Sequence, residues 1–180
     1  TEFEVISSNP DTTAPEIIKI DVSSKDIFDV TDGYATFDLS ANFTDNLSGF
    51  INSKEFSIGE SAFPGTNSNM NFSWISPSGS QYIYAHIYEG IDQDIRYNDI
   101  FIDADKNNIS FDNVEVTIPQ YSEPGTWTLN YITVSDVAGN ELIITRDSDG
   151  NYINPTNIES FDENGNPIFE SIDLDFKTEF

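Results

Sequence analysis

The chain has 180 residues, enough for one large β-domain or two small ones, and a chain of this size buries roughly two thirds of its unfolded surface. Its hydrophobic share of 37% and aromatic share of 13% exclude a disordered chain, and no run of 18 apolar residues exists to cross a membrane. With 32 acids against 7 bases the net charge is −25, which repels phosphate backbones and anionic lipid, and the absence of cysteine excludes thiol catalysis and cysteine-ligated zinc.

Helical periodicity is nearly absent and period-2 alternation is common. Residues 1–10 read as a linker strand, with Phe3 and Val5 in phase. Ile18, Ile20 and Val22 mark a short strand. In residues 34–43, Ala35, Phe37, Leu39, Ala41 and Phe43 face one way, and Tyr34, Thr36, Asp38, Ser40 and Asn42 face the other. That is the pattern of a half-buried antiparallel strand. Residues 59–71 are small, polar and irregular, and read as an inserted loop. Phe72 and Trp74 mark the next strand, and the alternation from Tyr82 to Tyr88 another. Residues 89–108 read as a second insertion, with a short strand near Ile100 to Ile102. Val114, Val116 and Ile118 mark a strand, and residues 126–135, rich in β-branched and aromatic side chains, predict a central one. Residues 142–145 should pair with it across a short turn. Ser78-Gly79, Pro124-Gly125, Asp149-Gly150 and Asn164-Gly165 punctuate the chain with turns. Short strands at this spacing predict a β-sandwich over residues 11–146, with a C-terminal β extension over 147–180.

The two ends match. The chain begins Thr1-Glu2-Phe3 and finishes Thr178-Glu179-Phe180, and the tail alternates Ile172, Leu174, Phe176, Thr178 and Phe180 on one face. Joining tail to head gives one unbroken strand, the signature of a tandem array with a period of about 177 residues.

Four segments carry a resemblance. Asp11-Thr12-Thr13-Ala14-Pro15, Thr44-Asp45-Asn46-Leu47-Ser48-Gly49, Gly125-Thr126-Trp127-Thr128-Leu129 and Ser135-Asp136-Val137-Ala138-Gly139-Asn140 resemble, in order and spacing, the immunoglobulin-like repeats of large calcium-associated bacterial surface adhesins. The resemblance covers residues 11–145. It implies a secreted, cell-surface, non-enzymatic antiparallel β-sandwich, often a spacer between neighbouring repeats of the same chain and sometimes a ligand-binding head. The two long insertions and the tail after Arg146 exceed a minimal repeat.

On a sandwich, topology draws Asp11, Asp45, Asn46, Asp136 and Asn140 toward one end. Calcium takes six to eight oxygens from carboxylates, amides, backbone and water, and this end supplies them. Asx residues also cap turns by bonding their own backbone, so a purely local role stays open. Asp103 and Asp105, Asp147, Asp149 and Asn151, and the segment from Asp162 to Asn166 repeat an alternating-oxygen pattern like the first half of an EF-hand loop. None completes the twelve-residue loop, and each also reads as an ordinary hairpin turn.

Tyr82, Tyr84, His86 and Tyr88 share one face of their strand, opposite Ile83, Ala85 and Ile87. Such a strip could stack a sugar ring or meet a protein partner, or a loop could fold over it as a second small core. His86 is the one histidine, and no nucleophile, phosphate-loop, dinucleotide or zinc motif accompanies it. Paired carboxylates carry no information in a chain with 32 acids. The expectation is a calcium-stabilised spacer module with no catalytic role, and the alternative is a carbohydrate- or protein-binding module using the aromatic strip and long loops.

Overall fold

The computed structural model describes residues 8–23, 28–50, 69–89, 99–102, 107–136 and 138–172. Ten strands and no helix occur among them: β1 Glu16–Ser23, β2 Ala35–Thr44, β3 Asn69–Ile75, β4 Tyr82–Glu89, β5 Asp99–Ile102, β6 Asn108–Ile118, β7 Thr128–Ser135, β8 Glu141–Arg146, β9 Tyr152–Phe161 and β10 Pro167–Ile172. They form a three-stranded sheet in the order β1-β2-β6 and a seven-stranded sheet in the order β10-β9-β8-β7-β3-β4-β5. Every pairing is antiparallel except β4 with β5.

The alternation expected in β2 is present. Phe37, Leu39, Ala41 and Phe43 are buried, and they face Met70, Phe72 and Trp74 of β3 across the core. Phe37 meets Trp74 edge-on, with centroids 4.9 Å apart and planes at 74°, and Phe43 lies 6.3 Å from Phe72. These contacts stack the sheets as a β-sandwich, held by burial of large aromatic area. β7 is the middle strand of its sheet and pairs with β8, as residues 126–135 and 142–145 predict.

Two strict alternations fail, each at a bulge. The alternation of Ile18, Ile20 and Val22 predicts one buried face, but the register shifts between Ile17 and Lys19, and Ile18 is 59% exposed. The extra residue flips the strand's phase, so Ile17 packs on the core in its place. β6 starts six residues before Val114. A shift opposite Leu39 and Ala41, with Asn113 at φ 55°, resets the alternation so that Ile109, Phe111, Val116 and Ile118 all point inward.

The segment near Ile100 is β5, an edge strand parallel to β4. Residues 147–172 continue the larger sheet, because β9 pairs with β8 through Thr145↔Ile153 and Arg146↔Tyr152. The matching ends at 1–3 and 178–180 lie outside the described residues. Antiparallel order sets two poles. β1 and β6 start, and β2 and β7 end, at one pole; the β3–β4 turn, the β6–β7 loop and the β8–β9 turn lie at the other.

Candidate metal centre

Three strand ends meet at the first pole. Asp11 precedes β1, Asp45 follows β2 and Asp136 follows β7. One carboxylate oxygen from each lies within 4.8 Å of the other two. Asp45 and Asp136 are buried, 4% and 6% exposed, and Asp11 is half-buried.

Local turn chemistry positions each. Asp11 Oδ1 accepts the Thr13 amide at 3.0 Å, and Asp11 Oδ2 accepts the Ser48 amide at 2.7 Å, which ties the segment before β1 to the tip of β2. The Thr13 hydroxyl lies 2.9 Å from Asp11 Oδ1 and 3.0 Å from Asn46 Oδ1. Asp45 Oδ1 accepts the amides of Leu47, at 3.1 Å, and Gly49, and Gly49 takes the left-handed φ of 70° that lets the chain turn back over the carboxylate. The Asp45 amide donates to Asn107 O at 3.1 Å, fixing the tip against the start of β6. Asp136 Oδ1 accepts the Asn140 amide at 2.8 Å and its Oδ2 the Asn140 side-chain NH2 at 2.7 Å.

The electrostatics follow from these bonds. The Thr13 amide, with help from Ser48, holds the Asp11 carboxyl down at about 2, so it is ionised at any physiological pH. Asp45 Oδ2 is buried and accepts no hydrogen bond among the described residues. None of the three acids is in a salt bridge there; Lys19 and Asp21, 3.6 Å apart, form an exposed ion pair on β1. Three clustered carboxylates with a bare buried oxygen are costly without a cation. A small cavity of about 70 Å³ borders Asp45 and Asn46. The donors are all hard oxygens, the set that suits calcium rather than a thiophilic or imidazole-seeking metal. Asp11, Asp45 and Asp136 are thus a group that could hold a metal ion through carboxylate oxygens. Asn46 offers a side-chain oxygen nearby, whereas Asn140 presents its NH2 to Asp136 and steadies that carboxylate.

The other candidates lie elsewhere. Asp147 and Asn151 close the β8–β9 turn at the opposite pole. Asp147 Oδ1 accepts the amides of Asp149 and Asn151 at 2.9 and 2.8 Å, and Asp147 Oδ2 accepts the Asn151 NH2 at 3.2 Å. Asp162 and Asn166 repeat this in the β9–β10 turn. Asp103 and Asp105 lie outside the described residues. Tyr82, Tyr84 and His86 line the outer face of β4, with Ile83, Ala85 and Ile87 buried beneath. Their rings stand in a parallel row, 5.9 and 5.8 Å apart and inclined by 19° and 10°; the Tyr88 side chain is outside the described set. His86 Nδ1 lies 2.6 Å from Asn71 Oδ1, which anchors the end of the row to β3.

Sequence reasoning missed Thr13 and Ser48 as the donors that orient Asp11. It grouped 147–151 with 162–166 but missed that 136–140 shares Asp-x-x-Gly-Asn with them and makes the same pair of backbone bonds between its Asp, Gly and Asn. Comparison with protein-family models, with curated proteins and with solved structures gave no match.

Proposed function

We propose that this chain is a non-catalytic, calcium-stabilised β-sandwich module of a large bacterial surface or secreted adhesin, acting as a spacer between adjacent repeats. The observation that carries the reading is the convergence of Asp11, Asp45 and Asp136 from three strand ends, with Asp45 Oδ2 buried and unsatisfied. The strand order supports the immunoglobulin-like resemblance: β1-β2-β6 faces a sheet containing β8-β7-β3-β4, a two-sheet antiparallel arrangement of that kind. A bound calcium ion would neutralise the cluster and cross-link the segment before β1 to the ends of β2 and β7. It would thereby stiffen the pole at which a preceding module joins.

The test is thermal melting in calcium and in chelator at matched ionic strength. Calcium at a hundred times its Kd should add about 2.7 kcal/mol, roughly 5–10 °C for a domain of this size. Asp45→Asn keeps an oxygen for the Leu47 and Gly49 amides but removes one negative charge. In chelator it should melt at or above the parent, and it should lose the calcium response. A parent insensitive to calcium, or a variant weakened equally in both conditions, would sink the metal reading.

A further inference from the structure

The pole opposite the acidic cluster has a surface feature of another kind. A shallow hollow of about 320 Å³ opens between the start of β4 and the β6–β7 loop, walled by Gln81, Tyr82, Gln120, Tyr121 and Ser122 over a floor that includes Trp127. No residue of its wall is charged, although 22% of the chain is.

Its polar groups are held ready. Gln81 Oε1 accepts the Glu123 amide at 2.8 Å, which fixes the side chain and leaves its NH2 end as a donor. Gln120 Nε2 donates to Thr31 O at 3.0 Å, which leaves its carbonyl as an acceptor. Backbone partners set both orientations, so one fixed donor end and one fixed acceptor end border the same hollow. Tyr121 lines the same hollow, 75% exposed and at φ 64°, a left-handed conformation that costs a tyrosine energy. The loop clamps it there: the Tyr121 amide donates to Val30 O at 3.2 Å, and Trp127 Nε1 donates to Glu123 O at 2.9 Å. Tyr82, 44% exposed, stands on the other wall and begins the parallel row of Tyr84 and His86 that runs up the outer sheet face.

We propose that this hollow, with the tyrosine row leading out of it, binds a neutral saccharide chain. Exposed aromatic rings offer flat apolar surface to the C–H faces of a sugar, and fixed amide donors and acceptors match its hydroxyls. Charge selects the class. A net charge of −25 repels anionic glycans from the whole molecule, and a wall without acids gives a cation no reason to choose this place over the rest of the surface.

The probes are a glycan array followed by calorimetric titration of neutral oligosaccharides into the full chain. Tyr121→Asn removes the ring while placing at φ 64° a residue that tolerates it, so that variant should fold at least as stably as the parent. Tyr121→Asn and Tyr82→Ala should each weaken binding about tenfold or more, while Tyr34→Ala, exposed and not part of the wall, should leave it unchanged. The proposal fails if no neutral oligosaccharide binds at millimolar concentration, if only acidic glycans or proteins bind, or if binding survives both tyrosine variants.

Discussion

A single carboxylate, that of Asp11, joins segments 37 residues apart through the Ser48 amide. Its folded pKa of about 2 lies below the ordinary 3.8, so its stabilising contribution is complete above 3.8 and disappears as pH falls through about 2. An NMR titration of the Asp11 carboxyl should therefore show a midpoint near 2, and Asp11→Asn should erase that part of the acid sensitivity; a midpoint near 3.8 would mean that the Thr13 and Ser48 bonds do not form in solution. Asp11, Asp45 and Asp136 could be named from the sequence because each sits in an Asx-rich turn at the predicted end of a strand. What could not be read is which atom each neighbour presents. Asn140 turns its NH2 toward Asp136 because a lone amide beside a carboxylate lowers its energy by donating, and only the folded turn brings the two together.

The Asp-x-x-Gly-Asn turn is the recurrent element of the second half of the chain. In each copy the Asp amide donates to the Asn carbonyl at 2.9–3.0 Å, the Gly amide returns to the Asp carbonyl, and the Gly takes φ of 87°, 89° or 83°. The Asp and Gly positions are fixed by different needs, an acceptor for two amides and a positive φ. Gly150→Ala should cost about 1–2 kcal/mol from backbone strain, and the new methyl would also press at 3.2 Å on the Arg146 guanidinium, which donates to Gly150 O. Gly125→Ala should cost more, because at φ 129° its methyl would strike the Pro77 ring at 2.6 Å. Urea denaturation of the two variants decides it, and an equal loss would show that the Pro77 contact is loose. Strand positions were legible where alternation ran unbroken, as in β2. They were not where a bulge intervened, because an inserted residue leaves no trace in hydrophobicity and reverses every assignment beyond it.

For the molecule as a whole, 32 acids against 7 bases leave a net charge of −25 that repels itself. Raising monovalent salt from about 0.01 to 0.15 M shortens the screening length from about 30 to 8 Å. The melting temperature should climb over that range, and further when calcium replaces sodium at constant ionic strength; a flat or falling curve in sodium would show that the acids are already neutralised by structure. The two-sheet plan was readable because aromatic and branched residues recur at strand spacing throughout. The path of the tail was not, since two register pairs between β8 and β9 are too few to leave a pattern. One earlier detail bears on how such a molecule behaves in a crowd. Among the described residues β1 is an outer strand of the smaller sheet, and an outer strand invites a neighbour to zip onto its edge amides. The misregister at Ile17 and Lys19 beyond it interrupt that row, which works against a second copy pairing along β1.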